Sequence, residues 1–287
     1  MKRKLIVIVG PTASGKTGLA VRLAKRLDGE VVSADSRAVY QGMDIGTAKP
    51  TMEEQGGVKH WGIDLVDPDV RFTVADFKKY ADAVISDIFE CGKQPILVGG
   101  SGLYIDAVIY NYDFAIDRDE KLRERLGEMS VEELTAYCRE HDIKLPENSK
   151  NKRYLIQAIE RDGREVRDDR RKMREDVVVV GIDVEKRLLM ERIKARAEEM
   201  FSSEIEEETK VLASRYSFKL EAMKSNIYPI VWKMLNGEIS LERAKELFVT
   251  DDWHLAKRQM TWFRRNKDIK WLPLEEIEEF LASELEK

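Results

Sequence analysis

The segment from Lys4 to Leu27 constrains the fold more than any other part of the chain. It reads KLIVIVGPTASGKTGLAVRLAKRL, which is an apolar run, a glycine-rich octapeptide and a stretch with helical spacing. A continuous apolar run that ends in a glycine turn is typical of a buried parallel strand. In the following stretch Leu19, Leu23 and Leu27 share one helix face. The segment therefore predicts a strand, a tight loop and a helix in that order.

The loop of this segment, GPTASGKT, matches the pattern G-x-x-x-x-G-K-[ST] in full. Backbone N–H groups of such a loop, together with the helix N-terminus, hold phosphate oxygens. Lys16 is expected to reach the terminal phosphate, and the hydroxyl of Thr17 is expected to bind Mg²⁺. The motif does not say whether the phosphate belongs to a nucleotide. The predicted diphosphate-binding residues are Gly10, Pro11, Thr12, Ala13, Ser14, Gly15, Lys16 and Thr17.

Strand and helix patterns alternate along much of the chain. GEVVSAD, QPILVGG and DVVVVGIDV indicate further buried strands, and IKWLP a short one. VADFKKYADAVISDIFECG and SGLYIDAVI indicate helices between them, and EKRLLMERIKARAEEMFSSEIEEETKVLASRY indicates one long helix or a pair. This alternation predicts a doubly wound α/β fold, with a P-loop NTPase-like parallel sheet flanked by helices.

The composition changes between the third and fourth strand patterns. Residues 113–174 are charged, helical in pattern and poor in residues that favour strands. We interpret them as a small helical insertion domain. The catalytic core is then expected to comprise residues 1–112 and 175–287, with helices following the last long strand.

Overall composition excludes several classes of protein. The net charge is −5, so a nucleic-acid partner would require a local basic face. The two cysteines lack metal-ligand spacing, which favours reduced, inert thiols in a cytosolic protein. The three histidines lie far apart, and no apolar stretch is long enough to span a membrane. We therefore expect a cytoplasmic protein, and we take it to be a monomer.

Two strand ends carry candidate chemistry. Asp35 follows the second strand, which we expect to end beside the phosphate loop, in the crevice where ligands bind. There it could act as a general base or simply as a turn or helix-cap residue, and spacing alone leaves both open. The third long strand ends in Gly99, Gly100 and Ser101, where a kinase would place a carboxylate that supports Mg²⁺. These glycines allow a close approach of backbone or ligand, or merely a tight turn.

Five motifs in order resemble the tRNA dimethylallyltransferase family of P-loop prenyltransferases. They are GPTASGKT, VVSADSRAVYQGMDIGTAKP, VADF, LVGGSGLY and AKRQMTWFRR, and they extend over most of the chain. The resemblance implies transfer of a dimethylallyl group from dimethylallyl diphosphate to N6 of the adenosine 3′ of the anticodon in tRNA. Diphosphate is released, and Mg²⁺ is the expected cofactor.

The resemblance also assigns roles to individual residues. Asp35 matches the general base for the amine, and Lys16 and Arg196 match groups aimed at the diphosphate. Arg196 would otherwise be interpreted as an exposed charge on a helix. Ser101 stands where the family has threonine, and its hydroxyl retains the catalytic contact. The residues expected to contact the tRNA anticodon stem-loop are Asp35, Ser36, Arg37, Ala38, Ser101, Lys257, Arg258, Gln259 and Arg264.

The late segment HLAKRQMTWFRRNKDIKW mixes basic and aromatic residues, which suits RNA backbone and base stacking. Alternatively Trp262 and Phe263 belong to the core, and for Trp262 we favour the core. A second basic run, RDDRRKMR at 167–174, is a candidate contact to the anticodon stem.

Several motifs depart from the family pattern, and they fall on the tRNA side. P-H-H-L-I-D reads KHWGID, R-A-L-E reads QAIE, G-Y-[KR]-[EQ] becomes NIYPIV and T-R-Q-Y-A-K-R-Q becomes DDWHLAKRQ. Prenylation of a free adenine nucleotide, as by adenylate isopentenyltransferase, is therefore an alternative. A small-molecule kinase with the same loop and an RNA-binding protein without catalysis are two others.

Overall fold

The computed structural model of the chain describes residues 4–112, 114, 120–160, 172–224 and 227–286. The chain divides into two compact units. One comprises Met1–Asn111 together with Met173–Lys287, and the other comprises Tyr112–Lys172.

A six-stranded sheet forms the centre of the larger unit, and all its strand pairs are parallel. This arrangement confirms the predicted α/β fold. The order is β3-β2-β4-β1-β5-β6, so β4 lies between β1 and β2. β2 is thus one strand removed from β1, but Asp35 beyond its end still acts electrostatically on Lys16 of the phosphate loop. The strands are β1 Leu5–Val9, β2 Gly29–Ser33, β3 His60–Trp61, β4 Gln94–Gly99, β5 Val177–Ile182 and β6 Lys270–Leu272.

Both faces of this sheet are covered. Leu5, Val7 and Val9 of β1 belong to one buried cluster, while Ile6 and Ile8 belong to the cluster on the opposite face. Because successive side chains of a strand point to opposite faces, burial on both sides requires an unbroken apolar run. This is why KLIVIVG shows no polar alternation. β3 escaped the sequence analysis because two residues show no periodicity.

Twelve α-helices lie in the described residues. The long segment after β5 forms a pair of helices that is interrupted at Phe201 and Ser202. The helices are α1 Lys16–Leu27, α2 Met52–Gln55, α3 Val74–Glu90, α4 Gly102–Ile109, α5 Glu120–Glu128, α6 Val131–Glu140, α7 Lys152–Glu160, α8 Lys186–Met200, α9 Ser203–Arg215, α10 Tyr228–Leu235, α11 Leu241–Phe263 and α12 Ile277–Glu286.

The smaller unit has its own apolar core. Leu126, Leu134, Cys138 and Leu155 are fully buried there, on α5, α6 and α7. Burial raises the pKa of the Cys138 thiol, which agrees with an inert cysteine. The predicted basic run at 167–174 lies outside the described residues except for its last three. No described helix has both the length and the apolar character needed to cross a membrane.

Candidate active site

The phosphate loop joins β1 to α1 through two residues with left-handed backbone. Ala13 has φ 58° and Gly15 has φ 88°. Gly15 is the N-cap of α1, and within the described part of the chain no side chain caps the helix there. The first turn also contains no acidic residue. The helix end therefore presents its N–H groups and positive dipole end to an anion.

Lys16 lies at the start of α1, and its ammonium group points back into the loop. Its Nζ donates to the carbonyl oxygen of Pro11 at 2.5 Å and lies 3.4 Å from Ser14 Oγ. The pKa of Lys16 is lowered to about 8, mainly by burial and also by the charge of Arg196. Asp35 and Asp252 act in the opposite direction. Two acidic and two basic side chains thus share one electrostatic environment at the loop.

Arg196 extends from α8 to the loop and is not an exposed helix charge. Its Nη1 donates to Thr12 Oγ1 and lies 3.5 Å from Asp252 Oδ2. One turn earlier on the same helix, Arg192 donates to the carbonyl oxygen of Ser14 at 3.3 Å. Guanidinium groups suit the binding of diphosphate oxygens because their donors are arranged in a planar fork. Sequence reasoning missed Arg192, although its spacing of four residues from Arg196 was a usable signal.

Asp35 lies just beyond β2, and its carboxylate serves a local turn. Its Oδ1 accepts the backbone N–H of Arg37 at 2.8 Å. Asp35 therefore does stabilise a turn, as one interpretation of the sequence predicted. Among the described residues, no hydrogen bond is made to its other carboxylate oxygen, Oδ2. Asp35 is also the carboxylate that raises the pKa of Lys16 most. A carboxylate beside the phosphate loop is placed to accept a proton from an acceptor substrate.

Ser101 connects the end of β4 to the Asp35 segment. Its Oγ accepts the backbone N–H of Ser36 at 2.9 Å and lies 3.1 Å from Ser36 Oγ. The backbone N–H of Ser101 donates to Ala34 at 3.2 Å. Although Ser101 is the N-cap of α4, its hydroxyl does not cap that helix. Its hydroxyl thus fixes the loop that carries Asp35.

Gly99 is required by a close approach of backbone, whereas Gly100 leaves room for the side chain of Gln259. A Cβ at Gly99 would lie 2.1 Å from the carbonyl oxygen of Ala34, and one at Gly100 would lie 2.3 Å from Gln259 Nε2. Gln259 Nε2 donates to the carbonyl oxygen of Gly100 at 3.2 Å, and its Oε1 accepts the Thr12 N–H at 2.8 Å. The side-chain amide of Gln259 therefore connects β4 to the phosphate loop. Its predicted contact with tRNA stays a prediction.

The exposed face of α11 is basic, as expected. Lys257 and Arg258 are exposed, and a groove of about 530 Å³ runs along this face. The expectation that Trp262 belongs to the core is wrong: it is 37% exposed and donates from Nε1 to Asp106 Oδ2 at 2.8 Å. Phe263 is buried, because it lies on the opposite side of the helix. The groove is lined by His254, Lys257, Arg258, Thr261, Trp262 and Arg265.

Three further residues of the predicted tRNA-binding set are not among those that line this groove. Arg264 pairs with Asp183 at 2.8 Å and its guanidinium lies over Trp271. Arg37 donates to the carbonyl oxygen of Glu221 at 2.6 Å. Ala38 is buried. The structure brings Asp35, Ser36 and Ser101 together, whereas Arg264 lies at the end of β5.

Asp252 and Glu208 were missed by sequence reasoning. Asp252 lies seven residues, about two turns, before Gln259 on the same face of α11, and it is 3% exposed. Glu208 accepts the backbone N–H groups of Asp44, Ile45 and Gly46, each at 2.9 Å. Helical spacing from Gln259 was a signal for Asp252. None existed for Glu208, since it lies in a run of acidic residues.

Thr17 is exposed in the first turn of α1, which fits a hydroxyl ligand for Mg²⁺ that is shared with phosphate oxygens. Across the described ranges, no three His, Cys, Asp or Glu side chains cluster in a way that could hold a metal ion. A metal at this site would thus depend on Thr17, the substrate and water.

Comparison with known proteins shows the family. The model of the IPP transferase family matches residues 38–266. The chain is 42% identical to tRNA dimethylallyltransferase 2 of Geotalea daltonii, over 94% of this chain and 88% of that protein. It is 38% identical to tRNA dimethylallyltransferase of Oceanobacillus iheyensis, over 96% and 92%. The crystal structure of tRNA isopentenylpyrophosphate transferase from Bacillus halodurans superposes with a TM-score of 0.76 and 36% identity, covering 99% of this chain and 97% of that one. The chain therefore belongs to the IPP transferase family.

Proposed function

We propose that this protein transfers a dimethylallyl group from dimethylallyl diphosphate to N6 of the adenosine 3′ of the anticodon in tRNA. The observation that carries the proposal is that Lys16 and Arg196 contact the phosphate loop, while Ser101 and Gln259 connect the Asp35 segment to the same loop. Arg196 and Asp35 both shift the pKa of Lys16, in opposite directions. Cations for a leaving diphosphate and a carboxylate for an acceptor amine are thus combined in one site.

The phosphate loop binds the diphosphate of the donor. Loop N–H groups, Lys16 and Arg196 are arranged before reaction for the negative charge that grows as the C–O bond breaks. Thr17 would hold Mg²⁺, which neutralises part of the diphosphate charge when bound. Because these groups are fixed by the contacts to Pro11 and Thr12, little reorganisation is needed during the reaction.

Asp35 acts on the acceptor side. The N6 amine forms a bond to C1 of the prenyl chain, the C1–O bond breaks, and both of its electrons leave with the diphosphate. The proton lost by N6 passes to the carboxylate of Asp35. The adenine must leave its stack to reach C1, so base flipping is part of the proposal.

The basic face of α11 is the proposed RNA surface. Lys257 and Arg258 neutralise phosphates there, and the exposed indole of Trp262 offers a surface for a base. Since the proposed acceptor is tRNA, we propose that the protein acts in the cytoplasm. The relatives' names favour tRNA over free adenine nucleotide as the acceptor. The strand at which a kinase would place a carboxylate to support Mg²⁺, β4, is instead followed by Gly100 and Ser101.

The test supplies labelled dimethylallyl diphosphate and Mg²⁺ with unmodified tRNA, AMP or ATP. We expect label in tRNA only. Transfer to AMP and not to tRNA would contradict the proposal, and consumption of ATP without prenyl transfer would favour a kinase.

The role of Asp35 is tested with Asp35→Asn, which keeps the acceptor for the Arg37 N–H and removes the base. Turnover should fall by about 10²–10⁴-fold, the usual contribution of general-base catalysis. Diphosphate affinity should change by less than about threefold, because the carboxylate is not a diphosphate ligand. Asp28→Asn, at an exposed helix end with φ 48°, is the matched control. An equal loss of turnover and diphosphate affinity would remove the general-base role.

A further inference from the structure

Asp252 is a buried carboxylate that the proposed reaction does not use. It lies on the inner face of α11 and is 3% exposed. Removing a carboxylate from water costs several kcal/mol unless it has charged or hydrogen-bonding partners. The only other acidic residue buried to this degree among the described residues is Glu30, which binds Lys93 and Trp61. Asp252 must therefore be stabilised by its own neighbours.

Those neighbours belong to the phosphate site. Asp252 Oδ2 lies 3.5 Å from Arg196 Nη1, and the hydroxyl of Thr12 is one of the groups that lower the pKa of this carboxylate. Arg196 in turn donates to Thr12 Oγ1. Arg196, a proposed diphosphate ligand, therefore contacts a residue of the phosphate loop and the buried carboxylate through the same Nη1 atom.

The charges explain why a carboxylate is useful at this position. Lys16 and Arg196 repel each other, and the repulsion contributes to the lowered pKa of Lys16. Burial raises the pKa of Asp252, while Arg196, Thr12 and Lys16 lower it. Without Asp252, repulsion by Lys16 would push the Arg196 guanidinium away from the loop. Asp35 would not replace the lost negative charge, because we assign it to the acceptor side of the site.

The distance in the ion pair also matters. Strong charge-assisted hydrogen bonds measure about 2.7–2.9 Å, so a separation of 3.5 Å orients the guanidinium without saturating its donors. The remaining N–H groups of Arg196 stay available to a diphosphate. A shorter, two-bond pair would compete with the substrate for the same donors.

We propose that Asp252 is a positioning residue that holds Arg196 against Thr12, so that its guanidinium meets the diphosphate of the donor. This inference rests on the proposed function for the identity of the donor. Asp252 acts through Arg196 and does not itself touch the substrate.

The test is a double-mutant cycle between Asp252→Asn and Arg196→Gln, with inorganic diphosphate binding measured by calorimetry in the presence of Mg²⁺. In the presence of Arg196, Asp252→Asn should weaken binding by about fivefold, since a misplaced guanidinium loses its contact. In the Arg196→Gln background the same substitution should change binding by less than about twofold. Asp251→Asn removes the same charge from an exposed neighbour and is the matched control, with an expected effect below about twofold.

Two results would overturn the proposal. Tighter diphosphate binding in both backgrounds would mean that Asp252 only repels the anion. Equal weakening in both backgrounds would mean a structural role that is independent of Arg196. A second variant, Asp252→Ser, keeps one oxygen in a smaller side chain and must give the same coupling energy to Arg196. Melting curves verify that each variant is folded.

The measurement separates this inference from the proposed function. Diphosphate binding needs no acceptor, so the cycle gives its result even if tRNA is not prenylated. With tRNA as acceptor, Asp252→Asn should lower kcat by about tenfold when Arg196 is present and by less than about twofold in Arg196→Gln. Absence of wild-type transfer together with intact coupling would reject the acceptor and keep the role of Asp252.

Discussion

The side chain of Gln259 accepts the backbone N–H of Thr12 at 2.8 Å, although the two residues are 247 positions apart in the chain. The same amide donates to the carbonyl oxygen of Gly100. Since Ser101 binds the Asp35 segment through Ser36, the amide completes a connection from the donor loop to the proposed base. Misplacement of either the phosphate loop or the Asp35 segment would separate the reacting groups. Positioning errors of about 1 Å can cost about 10²-fold in rate.

Gln259→Leu should therefore lower turnover while tRNA binding remains within about threefold of wild type. Leucine has a similar volume, but it can neither accept from Thr12 nor donate to Gly100. Single-turnover prenyl transfer and tRNA binding by filter retention measure the two effects separately. Lys257→Ala, on the exposed face of the same helix, should do the opposite, with weaker and less salt-dependent tRNA binding. If Gln259→Leu instead weakens tRNA binding and leaves the single-turnover rate intact, the amide faces the RNA.

Gly99→Ala should prevent stable folding of the larger unit. Its Cβ would lie 2.1 Å from the carbonyl oxygen of Ala34, which is backbone and cannot rotate away. We expect a loss of about 3 kcal/mol or more in the free energy of unfolding, measured with urea. Gly127→Ala on α5 is the matched control, because its Cβ meets no atom within 4 Å. The control should be neutral or slightly stabilising, and equal melting of Gly99→Ala and wild type would refute the close approach.

Glu208→Ala should loosen the loop at residues 44–46. The carboxylate accepts three backbone N–H groups there and also the hydroxyl of Tyr228 at 2.7 Å. Hydrogen bonds to a charged group contribute about 1.5–3 kcal/mol each. Because the freed N–H groups lie at an exposed to half-buried loop and can bind water instead, we expect a smaller total loss of about 2–4 kcal/mol. Hydrogen exchange should increase at the amides of Asp44, Ile45 and Gly46. Glu207→Ala, which removes an exposed carboxylate, should change neither quantity.

Asp106→Asn should stabilise the protein above pH 6. Burial raises the pKa of Asp106 to about 6, and the hydrogen bond from Trp262 opposes this shift only in part. A carboxyl group with a raised pKa in the folded state favours folding when protonated, and it loses that contribution as the pH rises from about 4 to 6. Asparagine keeps an acceptor for Trp262 Nε1 and never ionises.

The difference in melting temperature between Asp106→Asn and wild type should thus be near zero at about pH 4 and grow until about pH 6. Thermal melts at fixed ionic strength measure it. A constant difference across this range would show that Asp106 titrates normally.

Local patterns in the sequence predicted the elements of the sheet well. The runs LIVIV, QPILVG and VVVVGI form strands buried on both faces, and burial on both faces leaves a continuous apolar signal. β3 gave no signal because two residues are too few for a period. Trp262 was misassigned for a different reason. Hydrophobicity favours the core, but the helical phase that buries Phe263 turns the preceding indole outward.

The sequence by itself determined the phosphate loop, because its eight residues fold through their own backbone and the helix that follows. It also determined which residue types surround the site, through motifs that occur in family order. Only the tertiary structure decided that Gln259 and Arg196 meet Thr12 and that Asp252 pairs with Arg196. Their contacts depend on which faces of α8 and α11 pack against the loop, and a charged residue on a buried face carries no hydrophobic signal. That packing turns separate motifs into one site.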